Sequence, residues 1–387
     1  MGETRLSRLA ENVMESGWLA ALVVVPLLFN VYDERVFEED KAPFLRSVAL
    51  LLAVCGVVWG VERGRRAFPR SLWRIPLVIP WALMVVVYVL TTLWSVAPEV
   101  SLWGAYIRRQ GTLTNLSYML IFILIVFNLR SREQVNRLVT VILLASLPAA
   151  LYGVVQRFGL DPLPWGGDVQ QRVSSVAGNP IFIAAYLIMV VPLTLSRVIE
   201  HFGRLMAEPE EGEPEPNYVP PSLLAGAYLF LLIIQLLTIV YTQSRGPFLG
   251  LGAGLFFFFV VFALQRRMPK LAMSAVGLAV VGILFLVVFN LPNSPLASLR
   301  EAPYIGRMGR IFELETGTGR VRVLIWDGVT DLLAANPVRT LIGYGPRRRS
   351  TWSTPPIIPP SWATWKPGMP RLTALTTRRS TPWPCVA

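Results

Sequence analysis

Histidine and cysteine are almost missing from this sequence. One histidine, His201, and two cysteines, Cys55 and Cys385, occur in 387 residues. A lone imidazole excludes a His-rich metal site, and two cysteines, one inside an apolar run and one near the end, are too few for a disulfide framework. Charge is scarce as well: 16% of residues are Asp, Glu, Lys or Arg, where soluble domains carry about 25%. Apolar residues take their place. They make up 53% of the chain, and the mean hydropathy of +0.52 marks an integral membrane protein. The net charge of +12 imitates a nucleic-acid-binding signal. In a membrane protein, however, it reflects Lys and Arg held in the loops of one side, so membrane lipids are the expected surroundings and no nucleic-acid partner is expected.

A bilayer is crossed by about 20 consecutive apolar residues. Nine runs approach that length: Trp18 to Val31, Pro43 to Val61, Ile75 to Trp94, Thr112 to Leu129, Leu138 to Phe158, Pro180 to Ile199, Leu223 to Thr242, Pro247 to Leu264 and Leu271 to Asn290. The expected fold is therefore all-α, a polytopic bundle of about nine transmembrane helices over residues 1–290. The first run is short. Glu11 and Glu15 stand where a cleavable signal would be basic, so this run is expected to be a retained span.

Lys and Arg counted in alternate loops give fifteen with the N-terminus inside and seven on the other face. That bias predicts a cytoplasmic N-terminus and puts Arg245 outside, in the stretch YTQSRGPFLGLGAGL (Tyr241 to Leu255). A charge between two apolar runs is costly unless it meets water, a partner or an anion. Snorkelling at a helix end is the bland alternative. Arg108 and Arg109 begin a span, where they oppose the helix macrodipole and call for an anion, with lipid headgroups as the simplest one. Arg172 precedes the span starting at Asn179-Pro180, where a helix N-terminus already favours an anion; pairing with Asp161 or Asp168 would satisfy it equally well.

Other segments read more simply. YDERVFEEDK (Tyr32 to Lys41) is expected to be a solvated connector, and the acidic, proline-rich stretch 207–221 a cytoplasmic linker unable to bury a core. His201, beside that linker, is expected at the surface. Gly250, Gly252 and Gly254 are expected to allow close helix approach. Beyond the ninth run the chain is no longer continuously apolar, and residues 291–346 are expected to form part of an outer-face loop domain. There Val321, Leu324, Val329, Leu332 and Leu333 approximate a helical stripe, preceded by Arg320 and stopped by Asn336-Pro337.

Three pieces then carry a resemblance: RVSSVAGNPIFIAAYL (Arg172 to Leu187), TQSRGPFLGLGAGL (Thr242 to Leu255), and GRVRVLIWDGV with LIGYGP (Gly319 to Val329, Leu341 to Pro346). In order and placement the chain resembles the O-antigen ligase and polymerase family, multi-span glycosyltransferases acting on polyprenyl-diphosphate-linked glycans. The resemblance implies transfer of a glycan from an undecaprenyl-diphosphate-type donor to an acceptor hydroxyl on a glycan, lipid or protein, at the outer face of the plasma (inner) membrane, with no metal and no cofactor. By motif, the diphosphate-binding arginines fall on Arg172, Arg245 and Arg320. Arginine suits that role because its planar fork is permanently charged.

The family also implies a loop histidine as general base, and none stands in this chain's outer loop. The catalytic residue is thus unassigned, and the chain as given is expected to be inactive. From residue 347 to 387 there are seven basic residues and no acid. This basic, Pro- and Trp-rich tail is expected to be out-of-frame translation beginning after Gly345 or Pro346, with a disordered basic tail as the alternative. Two other functions fit the span count, a flippase or transporter of lipid-linked glycans and a non-catalytic membrane scaffold. Against a proton-coupled carrier, the span interiors hold no Asp or Glu.

Overall fold

The structure, a computed structural model, describes residues 4–32, 36–37, 39–64, 74–105, 109–163, 165, 167–206, 220–291, 293–302, 304, 306–311, 317–335 and 337–343. Those residues are helical with irregular connections and contain no strand. They divide into two units, one within Met1–Phe312 and the other within Glu313–Tyr344. The tail after residue 343, the bulk of the acidic linker and Arg108 lie outside the described residues.

Each of the nine apolar runs forms a helix in the first unit. They are α1 (Arg5–Leu27), α2 (Lys41–Arg63), α3 (Val78–Leu93), α5 (Thr112–Asn128), α6 (Arg132–Arg157), α7 (Pro180–Met206), α8 (Pro221–Thr242), α9 (Arg245–Gln265) and α10 (Pro269–Asn290), with the short α4 (Pro98–Trp103) between α3 and α5. Six of them, α2 and α6 to α10, are long and apolar enough to cross a membrane. Helices α3 and α5 are shorter, at 16 and 17 residues. Helix α1 starts well before the apolar run: Thr4 caps it by accepting from the Ser7 N–H at 3.0 Å, and it runs for 23 residues. Its buried face, Ser7, Ala10, Met14, Trp18 and Ala21, recurs every three to four residues and supplies the amphipathic stripe that a run search overlooks.

Two packed groups organise this unit. Met14, Trp18, Leu52, Trp59 and Leu124 join α1, α2 and α5. At the N-terminal end of this group, Glu11 accepts from Trp59 Nε1 at 2.8 Å and pairs with Arg63 at 2.7 Å, while Glu15 pairs with Arg137 at 2.8 Å. The second group, Ala149, Ala150, Ile183, Leu187, Val191 and Ile239, joins α6, α7 and α8. Inside it runs a buried polar stitch. Gln235 on α8 donates to Ser146 Oγ at 2.8 Å and accepts from Thr194 Oγ1 at 2.9 Å, and Thr238 Oγ1 donates to the Ala150 carbonyl at 2.8 Å. Such bonds are costly to leave unmade in an apolar medium. Helices α6 and α8 approach closely at Gly153, where a Cβ would lie 2.6 Å from Thr238 Cγ2.

Several expectations change here. The connector after α1 is tied down rather than merely solvated: Asp40 accepts from Asn30 at 3.0 Å, Lys41 donates to the Val176 carbonyl at 3.1 Å, and Phe37 packs on Trp165 at 5.0 Å between ring centroids. The anion opposite Arg109 is Glu39, an internal carboxylate, in place of a lipid headgroup. His201 is buried at 8% exposure and stacks on Tyr228 of α8, because α7 continues to Met206 and carries it into the α7–α8 contact. Of Gly250, Gly252 and Gly254 on α9, only Gly250 meets a neighbour, Ile188.

In the second unit α11 (Gly317–Ala335) covers the expected amphipathic stretch, and a further short helix, α12 (Pro337–Ile342), begins at the proline. Leu324 is buried, whereas Val329 and Leu333 of the expected stripe are exposed. Thr340 Oγ1 donates to the Leu333 carbonyl at 2.7 Å and folds α12 back on α11.

Candidate functional site

At the end of the first unit away from the N-terminus, four pieces of chain converge: the end of α6, the loop before α7, the α8–α9 junction and the segment after α10. The loop is held from below by Gln156, fully buried, whose Oε1 accepts from the N–H groups of Ser174 and Ser175 at 3.3 and 2.8 Å. From the side, the Val173 N–H donates to the Tyr241 carbonyl at 3.3 Å and Gln243 Nε2 donates to the Gln171 carbonyl at 2.9 Å. Helix α7 then begins at Pro180, with Asn179 Oδ1 accepting from the Ile181 N–H at 2.9 Å.

The α8–α9 junction is a two-residue break. Gln243 adopts a left-handed conformation (φ 49°) and ends α8, and Ser244 is extended. Ser244 Oγ donates backwards to the Thr242 carbonyl at 3.2 Å and leaves the first turn of α9 without a side-chain cap. Arg245 is the first residue of α9. The open N–H groups of a helix start carry a partial positive charge suited to an anion.

Arg172 reaches this junction. Its Nε donates to the Thr242 carbonyl at 3.4 Å, three residues before Arg245. Burial and the neighbouring Arg307 push the Arg172 guanidinium below its ordinary value. Two more groups join, Arg157 at the end of α6 and Tyr304 from the segment after α10. Arg157 donates to Tyr304 Oη and to the Gln170 carbonyl, the latter at 2.9 Å, and sits over the rings of Tyr241 and Tyr304 at 5.7 and 5.5 Å. Tyr304 is itself left-handed (φ 70°), as is Ser175 (φ 47°). Non-glycine residues in that region store strain and cluster where geometry is functionally constrained.

The nearby acids do not neutralise these arginines. Asp161 accepts from Tyr152 Oη at 2.8 Å, Trp165 Nε1 at 2.5 Å, Gln156 Nε2 at 3.3 Å and the Leu163 N–H at 3.1 Å. Burial opposes its ionisation, but these donors outweigh burial and hold its carboxyl below the ordinary value. Asp168 accepts from the Gln171 N–H at 2.8 Å. Among the described residues no ion pair forms between a carboxylate and Arg157, Arg172 or Arg307. Pairing of Arg172 with Asp161 or Asp168 is therefore not how this loop is built.

Of the three arginines expected to act together, Arg172 and Arg245 meet at one junction, and Arg320 is an exposed residue of α11 in the second unit. Arg157, Arg307, Tyr241 and Tyr304 were not singled out by sequence. Arg157 and Tyr241 end apolar runs, a weak signal, and Tyr304 and Arg307 belong to no motif. No group of three or more His, Cys, Asp or Glu able to hold a metal occurs among the described residues.

The architecture is that of a multi-pass membrane protein with a cationic junction at the head of α9. Residues 230–370 match the family model of the O-antigen ligase. The matched stretch takes in Arg245 and Arg320 and runs past Pro346, and over it the chain is similar to the O-antigen ligase family. No curated protein and no solved structure matches the chain.

Proposed function

We propose that the protein is a ligase-like glycosyltransferase of the plasma membrane, N-terminus cytoplasmic, whose α8–α9 junction binds the diphosphate of a polyprenyl-linked glycan at the outer face. In the reaction the acceptor hydroxyl oxygen forms a bond to the anomeric carbon, the bond from that carbon to the diphosphate oxygen breaks, and the hydroxyl proton passes to a base. Charge builds on the leaving diphosphate, so cations fixed beforehand lower the barrier. Arg172 and Arg245 supply them beside the open helix start, and Arg320 is the third cation of the proposal.

The observation that carries this reading is the Arg172–Thr242 contact, which sets a partly buried guanidinium, flanked by Arg307 and unpaired with any described carboxylate, at the head of α9. Like charges held close together are unfavourable until an anion arrives. The match of residues 230–370 to the O-antigen ligase family model supports the donor class. Because His201, the sole histidine, lies at the opposite end of α7 from Asn179, no histidine of these residues serves as base; donor binding without transfer is expected.

The test is reconstitution with an undecaprenyl-diphosphate glycan and an acceptor oligosaccharide. Saturable donor binding supports the proposal, and release of lipid diphosphate would add transfer to it. Movement of the donor between leaflets would make the protein a flippase, and absence of binding would leave a scaffold.

A further inference from the structure

Helices α7 and α9 touch near one end and part toward the other. A Cβ on Gly250 would lie 3.0 Å from Ile188 Cδ1, whereas one on Gly203 or Gly254 would meet nothing within 4 Å. Pro192 interrupts α7 between these levels, and a proline inside a helix bends it. The resulting cleft, about 1030 Å³, is walled by Ile199, Phe257, Phe258, Val261 and Phe262 and closed at the N-terminal face of the bundle by Arg204 and Arg266.

We propose that this cleft binds one anionic phospholipid of the leaflet on that face, an acyl chain along the phenylalanine wall and the phosphate between Arg204 and Arg266. The charge distribution argues for an anion. Glu200 is shared by Arg197 at 2.9 Å and Arg204 at 2.7 Å, so one carboxylate balances two arginines. Arg266 lies 5.8 Å over the Phe262 ring and makes no ion pair with a described carboxylate, and Arg267 and Lys270 follow it in sequence. A zwitterionic lipid would fill the apolar wall and leave this surplus uncompensated. Cations at the depth of the headgroups over an apolar slot match the amphipathic form of an anionic lipid.

The experiment is native mass spectrometry of the full chain in detergent with equimolar phosphatidylglycerol and phosphatidylcholine of the same acyl chains. Wild type is expected to retain phosphatidylglycerol preferentially. Arg204→Gln and Arg266→Gln should each weaken that retention about fivefold, and both side chains are exposed enough to leave folding intact. Gly254→Phe should fill the slot and abolish retention with every arginine in place. Equal retention of the two lipids by wild type, or a preference that survives both arginine substitutions, would overturn the proposal in favour of annular lipid. Retention that survives Gly254→Phe but yields to inorganic phosphate would overturn it in favour of a headgroup-only site.

Discussion

Arg172 and Thr242 are joined across 70 positions of sequence: the arginine Nε donates to the threonine carbonyl at 3.4 Å, in the last turn of α8. The contact spends one N–H of the guanidinium on the protein and leaves the rest of a five-donor fork at the head of α9. If a diphosphate takes those donors, each charge-assisted bond contributes about 1.5–3 kcal/mol, or about tenfold to 150-fold in affinity. Arg172→Ala should weaken undecaprenyl-diphosphate binding by that range. Arg172→Lys should recover part of the loss, since an ammonium keeps the charge without the fork. Titration of the purified chain with the lipid diphosphate reads both, and equal affinity for all three proteins would remove Arg172 from the site.

Arg245 and Arg320 test how far the clamp extends. Arg245→Gln is expected to resemble Arg172→Ala, because both side chains serve the same junction. Arg320→Gln should cost less than either. A donor affinity that falls only with Arg320→Gln would move the site away from the head of α9.

The site is read from sequence to the extent that it is local. Arg245 announces itself because a charge between two apolar runs has no cheap explanation, and Pro180 marks the start of α7 because proline suits the first helical turn. Nothing local announces Tyr304 or Arg307, which reach the junction only through the chain's return after α10, or Arg157, which ends α6 and meets Tyr304 there. The nine apolar runs locate nine helices, yet the first half of α1 escapes, since its apolar face is a stripe and its other face carries Glu11 and Glu15. His201 is hard to place for a related reason: the apolar run ends at Ile199, whereas α7 goes on to Met206.

The close approach of α6 and α8 gives a packing prediction. A Cβ at Gly153 would lie 2.6 Å from Thr238 Cγ2 and 3.0 Å from Val173 Cγ1. Gly153→Ala should therefore cost about 1–3 kcal/mol by overpacking, visible as a lower midpoint in thermal or denaturant unfolding in detergent. Thr238→Ser removes the nearer methyl and keeps the hydroxyl bonded to Ala150. The double substitution should regain much of the loss, a coupling expected only of groups in contact. Additive costs would mean the two helices can part at little expense.

Asp161 sets a pH dependence. Its carboxyl titrates below the ordinary value in the folded protein, so between the folded and unfolded values the unfolded chain binds the extra proton. Stability then rises with pH across that window, is fully present above about pH 4, and fades as pH falls through the folded value. Asp161→Asn should lower the unfolding temperature at neutral pH by removing the charged acceptor of Trp165 and Tyr152. The gap between variant and wild type should narrow on acidification below about pH 4. A gap unchanged over that range would assign the stability to packing of the Trp165 ring instead.

Gln243 separates the stability of the junction from its function. Its left-handed backbone (φ 49°) is strained for a glutamine and relaxed for glycine, and its side chain holds the arginine-bearing loop through the Gln171 carbonyl at 2.9 Å. Gln243→Gly relieves about 1 kcal/mol or more of strain and forfeits a hydrogen bond contributing about 0.5–1.5 kcal/mol. The two nearly cancel, so the unfolding midpoint should move little. Donor affinity should fall severalfold all the same, because Arg172 follows Gln171 directly and loses its anchor. Gln243→Asn, which tolerates the left-handed backbone but is one methylene shorter, should behave like Gln243→Gly in binding. If both variants bind the lipid diphosphate as wild type does, the loop does not need the junction to place its arginine.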